Sequence, residues 1–238
     1  MKWRAISLGF LVISTITSAQ NPSQTPDGTL LKLGDYCYTI TADHDGATEP
    51  IGLTFQTIHR QQVDGVDALA IVVHQHLSSG KFDMRDSFLL RRSDLRPIRL
   101  DNERNGLPHV HLDYTADHVS GWKMVDGKKQ PIDIGFAGPV WDGNLWGETF
   151  AALPLEVGKE YQLPVYQYDS GKGFFFVNAV GRKKLDTPVG AFDAWVLRAG
   201  LKKDEQADYY VGSGERLELG YAAGPSSQHL GGDCGALR

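Results

Sequence analysis

From about Asp35 onward, apolar residues recur at every second position in short runs broken by turn residues. Ile51, Leu53 and Phe55 share one face of such a run, and Leu69, Ile71, Val73 and Leu77 share the next, after the turn Val63-Asp64-Gly65. Phe82, Met84, Phe88 and Leu90 follow, then the corner Ser93-Asp94-Leu95-Arg96-Pro97 and a run closing at Asn105-Gly106. Val110, Leu112 and Tyr114 then alternate with His109, His111 and Asp113, and Val119 to Val125 closes at Asp126-Gly127. A period of two with Asn-Gly and Asp-Gly turns predicts half-buried antiparallel strands joined by hairpins. Later runs at 161–168, 174–180, 191–199 and 206–211 are set off by glycines, and Phe174-Phe175-Phe176-Val177 is apolar on both faces, as for a sheet covered on both sides.

One stretch departs from that period. Trp141, Leu145, Phe150 and Leu153 fall near helical spacing, Pro139 precedes them and Pro154 ends them, which predicts one short helix over about 141–153. The expected fold is mainly β, an antiparallel meander with that one short helix inserted in it. The expected domain runs over 35–212, after a flexible lead-in at 20–34 and before a C-terminal tail at 213–238.

The N-terminus carries a different signal. Lys2 and Arg4 precede the apolar stretch Ile6 to Ile16, and Thr17-Ser18-Ala19 supplies small residues before Gln20. This is the pattern of a secretory signal peptide over 1–19, and its apolar run falls short of the roughly twenty residues that span a bilayer. The residue after the expected cleavage site is Gln20, so no lipid-bearing cysteine stands there, and a periplasmic or secreted protein with no transmembrane segment in its mature chain is expected. Loss of the signal removes Lys2 and Arg4 and no acidic residue, which moves the formal net charge from −5 to −7 and argues against a nucleic-acid partner. Export also bears on the two cysteines, Cys37 and Cys234, which stand at the two ends of the folded region. A disulfide between them, rather than two unpaired thiols, is expected.

Motif searches find no G-x-S-x-G, H-E-x-x-H, phosphate loop or dinucleotide fingerprint, and no cofactor is expected. Three patterns remain. His109, His111 and Asp113 would share one strand face, with His74 and His76 as a second pair, which is either a metal site or a solvated outer face. Six arginines, Arg85, Arg91, Arg92, Arg96, Arg99 and Arg104, fall within twenty residues. They either meet an anionic group or pair with the intervening Asp and Glu. Aromatic residues crowd around Trp141, Trp146, Phe150, Phe174 and Phe176, and they either pack a core or line an apolar cavity.

Arg92-Ser93-Asp94-Leu95-Arg96-Pro97, Leu112-Asp113-Tyr114, Phe150-Ala151-Ala152-Leu153-Pro154-Leu155 with Gly158 and Tyr161, and Val180-Gly181 followed by Pro188 to Trp195 resemble, in that order, an exported bacterial family known as domain of unknown function 3108. The resemblance implies a β-rich domain similar to the half-barrels of periplasmic lipoprotein and lipid carriers, a curved, partly open barrel with the helix at about 141–153 covering the concave face, and it implies no catalytic residue. The leading expectation is a non-enzymatic binding module for a lipid or other apolar small molecule, with Trp141, Trp146, Phe150, Phe174, Phe176, Arg91 and Arg92 as candidate ligand-binding residues. A structural envelope protein with a filled core, recruiting a protein partner, is the alternative. A metal-dependent enzyme using His109, His111 and Asp113 is a third.

Overall fold

A computed structural model describes residues 24–237. The expected signal sequence lies outside the described residues. Fifteen strands form one antiparallel sheet, apart from one short parallel pairing, and its order is simple. Strands β1 (Gly34–His44), β2 (Ala47–Val63), β3 (Val66–Leu77), β4 (Asp83–Arg91), β5 (Pro97–Arg104), β6 (Leu107–Tyr114), β7 (His118–Val125) and β8 (Lys128–Gly135) lie side by side in chain order. The chain then passes through 136–140 to the opposite edge and returns through β9 (Trp141–Asp142), α1 (Gly147–Ala151), β10 (Glu160–Gln167), β11 (Gly171–Thr187), β12 (Gly190–Gly200), β13 (Ala207–Gly212), β14 (Glu218–Ala223) and β15 (Ser226–Leu230). β15 pairs with β1, so the first and last strands meet in the middle of the sheet, while β8 and β9 are its two free edges. The sheet is therefore open and not closed into a barrel, in line with the half-barrel that the family resemblance implies.

Four hairpin turns explain the meander locally. Asp45-Gly46, Asp64-Gly65, Asn105-Gly106 and Asp126-Gly127 each have positive φ at both residues, the type I′ geometry whose twist matches that of paired strands. The corner at Ser93 to Pro97 works differently. Leu95 takes a left-handed φ of 52° and is buried, Asp94 accepts from Arg91 at 2.5 Å, and the Trp141 indole donates to the Asp94 carbonyl at 2.8 Å.

Inward-facing residues from both halves of the sheet join one core, from Ile58, Leu69, Phe88, Leu100 and Leu112 on one side to Leu163, Phe175, Leu197 and Val211 on the other. The helix plugs this core. It is shorter than its apolar spacing predicts, because Trp141 and Asp142 pair in parallel with Val165 and Tyr166, and the Asp142 carboxylate accepts from the Asn144 backbone and side chain in a turn. Two boundaries also differ from expectation. The stretch expected to be a tail supplies β14 and β15, whose alternation is broken by a bulge at Leu219, and Leu31 of the lead-in is buried and bridges to Arg216. Cys37 and Cys234 form a disulfide, and the end of the chain folds over the convex face so that Cys234 and Leu237 pack on Phe55 and Leu53.

Candidate functional site

Between α1 and strands β2, β3, β4, β13 and β14 lies a cavity of about 440 Å³. Its floor is polar. Glu148 on α1 and Glu218 on β14 are both buried, and each carboxyl acts as a hydrogen-bond partner of the other. Gln56 donates to Glu148, Gln228 lies 3.5 Å from Glu218, and Thr54 donates to Gln228 at 2.6 Å. Burial pushes both glutamates above the ordinary carboxylate range, and the neighbouring Glu148 charge pushes Glu218 well above it. Two carboxylates this close cannot readily both ionise, so the pair shares a proton, held more tightly on the Glu218 side.

The local sequence builds this pair in two ways. In β14 the bulge at Leu219 leaves Glu218 opposite Val211, whose side chain belongs to the inner core, whereas uninterrupted alternation from Tyr221 would turn it outward. On the helix, Gly147 leaves the space that Glu218 occupies, since a Cβ at 147 would run into the Glu218 carboxylate. Replacing Gly147 with Ala is therefore expected to destabilise the fold by about 1–3 kcal/mol, measured by urea unfolding.

The walls are mixed. Trp146 stacks on Tyr209 with ring centroids 6.1 Å apart, and Tyr209 lies 5.7 Å from Tyr221. Opposite them, Asp86 on β4 is buried and accepts from Asn102 at 2.7 Å, and burial pushes its carboxyl up to about 7. At the rim, Asp169 is clamped between Arg104 at 3.1 Å and Lys123 at 2.6 Å. Burial raises its proton affinity, but the two cations outweigh that and hold it below the ordinary range.

The residues singled out from sequence fall into separate places. Trp146 lines the cavity, whereas Trp141 and Phe150 are enclosed in the core, Phe150 with Phe175 at 5.1 Å. Phe174 and Phe176 alternate with the inward Phe175 and so stand on the convex face, not on the concave one. Phe174 borders a second cavity there, about 430 Å³, with Phe136, Pro139, Val140 and Pro164. Arg91 and Arg92 lie away from both cavities, paired with Asp94 and with Asp67 at 3.4 Å. Arg96, Arg99 and Arg104 have carboxylate partners too, so the arginine run is largely an ion-paired hairpin.

The histidines separate as well. A bulge in the β5 and β6 pairing leaves His109 without a β5 partner and turned toward Tyr168, its Nε2 buried without a hydrogen bond among the described residues. His111 instead lies between Asp101 at 2.6 Å and Asp113 at 3.0 Å and stacks on Trp122. The expected common face of His109, His111 and Asp113 is thus split by one extra residue. His74 and His76 both bind Asp83, at 2.9 and 3.1 Å. Among the described residues, no group of three or more His, Cys, Asp or Glu is arranged to hold a metal ion, and no helix is long and apolar enough to cross a membrane.

Sequence reasoning missed Glu148, Glu218, Gln56, Gln228 and Asp86. The signals that existed were the unusual placement of Glu148 between two aromatics and the small residues Gly147 and Gly220 beside the two acids.

No curated protein matches the chain in sequence. The crystal structure of a beta-barrel-like protein of domain of unknown function DUF1849 from Brucella abortus is similar to it, with a TM-score of 0.54 at 9% identity over 84% of this chain and 95% of that one, a likeness of fold alone. The sequence profile of DUF3108, a protein family of unknown function, matches residues 37–221, which span most of the sheet and both glutamates of the cavity floor. The chain belongs to the DUF3108 family.

Proposed function

We propose that this protein is an exported, non-enzymatic binding module whose concave cavity takes a small ligand bearing a cationic nitrogen. The observation that carries this reading is the proton-sharing Glu148 and Glu218 pair beneath the aromatic faces of Trp146, Tyr209 and Tyr221. An ammonium group is attracted both by carboxylates and by aromatic faces, and more so where water is excluded. An arriving cation also compensates the second negative charge, so Glu218 releases its proton as the ligand binds. Export is supported by the pattern of the first nineteen residues and by the disulfide.

A second reading keeps the lipid or acyl chain. The apolar cavity beside Phe136 and Phe174 favours it, because that surface is contiguous, apolar and open on the convex side.

Calorimetric titration with spermidine, choline and palmitate separates the two. Binding of an amine that weakens roughly tenfold or more in Glu148→Gln, with uptake of the released proton by the buffer, supports the concave site. Palmitate binding that survives Glu148→Gln and is lost in Phe174→Ala supports the convex one. Absence of both leaves the structural envelope protein as the better account.

A further inference from the structure

Five buried polar side chains or guanidinium groups besides His109 have a nitrogen or oxygen without a hydrogen-bond partner among the described residues, and two of these meet at one place. Trp195 on β12 is 3% exposed, and its Nε1 has no acceptor. Arg216, in the turn between β13 and β14, is half-buried, and its Nη1 has no acceptor either. Its guanidinium carbon lies 5.7 Å from the Trp195 ring centroid, and that of Arg182 on β11 lies 4.0 Å from the same centroid.

A bulge brings the second arginine there. The pairing of β11 with β12 shifts at Val180, so Arg182 stands opposite Trp195, while the inward residues before the shift, Val177 and Ala179, stand opposite Ala199 and Leu197. Without the extra residue, Arg182 would fall on the outer face with its neighbours Val180 and Lys184. Instead it lies over an indole that belongs to the inner core.

Neither Arg182 nor Arg216 has an ion-pair partner among the described residues, in contrast to most of the arginines of the β4 and β5 hairpin. The adjacent acid, Glu215, is taken by Lys32. The Arg216 backbone is fixed by Leu31 and Lys32, the latter donating to its carbonyl at 3.0 Å. Burial, and then the Arg182 charge, press the proton affinity of Arg216 down. Two guanidinium groups held on one indole without a counter-ion repel each other, and buried donors without acceptors are rare in folded proteins. An oxyanion relieves both conditions at once, because each guanidinium presents a planar fork of N–H groups to carboxylate or phosphate oxygens.

We propose that Arg182, Arg216 and Trp195 form a binding site for an oxyanion, a phosphate or carboxylate group carried either by a free anion or by the head of an amphiphile. Arg182 is solvent-exposed and supplies the entrance, and Arg216 supplies the inner contact. None of the three residues lines the carboxyl cavity, so the site stands apart from the cation reading above.

Thermal melts and tryptophan fluorescence of the full disulfide-bonded protein, with inorganic phosphate, acetate and short-chain phosphatidic acid against sodium chloride of equal ionic strength, test this. The expected result is a rise in melting temperature with phosphate or acetate beyond that with chloride, an accompanying change in fluorescence, and a loss of roughly tenfold or more in affinity in Arg216→Gln and in Arg182→Gln. Trp195→Phe keeps an aromatic ring and removes the N–H, so a loss of anion affinity in it points to the indole donor. Arg182→Gln alters an exposed side chain and keeps the test decisive if Arg216→Gln does not fold. Phosphatidic acid binding tighter than free phosphate assigns the amphiphile as the source, and equal binding assigns the free anion. A response to phosphate and acetate no larger than that to chloride, or an unchanged response in Arg182→Gln, overturns the proposal.

Discussion

Replacing Cys37 and Cys234 together with serine is expected to lower stability by about 5 kcal/mol, which for a domain of this size corresponds to a fall in melting temperature of roughly 10–20 °C. The magnitude follows from the separation of 197 residues between the two cysteines, since the bond removes the closure entropy of that loop from the unfolded chain. Its position adds to the effect. β1 and β15 carry the two ends of the described chain and pair over only four positions, Thr39 to Ala42 with His229 to Ser226. The bond lies just beyond that short seam and holds the tail that covers Phe55. Differential scanning calorimetry of the double variant, beside the wild type with and without reductant, checks this. A melting temperature within a few degrees of the oxidised protein would show that the seam holds without the covalent link.

Raising the pH from 5 to 8 is expected to weaken the fold by a few kcal/mol, with Asp86 as one contributor among the buried carboxyls. Asp86 and Asp142 are 3% and 2% exposed, and burial pushes their carboxyls up to about 7 and about 6. Glu148 and Glu218 are raised as well. A carboxyl whose proton is held more tightly in the folded state contributes stability that is full below the unfolded value, near 4, and that is lost as the pH rises through the folded value. For Asp86 the window is therefore about pH 4 to 7, and its shift corresponds to at most about 4 kcal/mol. Asp67, Asp83, Asp113 and Asp169 act in the opposite sense: their pKa values are lowered, so their contribution is lost only as the pH falls below 4. Asp86→Asn keeps an acceptor for Asn102 and removes the charge. It is expected to stabilise the protein by about 2–4 kcal/mol at pH 8 and by little at pH 4. Urea unfolding of both proteins across that range measures it, and parallel pH profiles would count against a buried, charged Asp86.

The hairpins were legible because their turns are local: an Asp-Gly or Asn-Gly pair between two alternating runs is enough to specify the connection. The disulfide was legible for a different reason, since the signal-like start raised the expectation of a bond and a count of two cysteines leaves one pairing. The polar cavity was not legible. Alternation assigns a face only while the register is unbroken, and single extra residues at His109, Val180 and Leu219 shift it. Each shift changes the side on which a chemically important residue falls, separating His109 from His111 and turning Arg182 and Glu218 inward. Glu148 and Glu218 come from elements distant in the chain, and no local pattern joins them. The aromatic crowding was visible but divided by the pleat, with Phe175 inside and Phe174 and Phe176 outside.

The segment 136–140 that carries the chain from one free edge of the sheet to the other sets a limit on motion. Five residues between Gly135 and Trp141 span at most about 20 Å when fully extended. The two edges behave as jaws on a short tether, so the sheet cannot unroll flat while this strap and the clasp at the opposite seam remain intact.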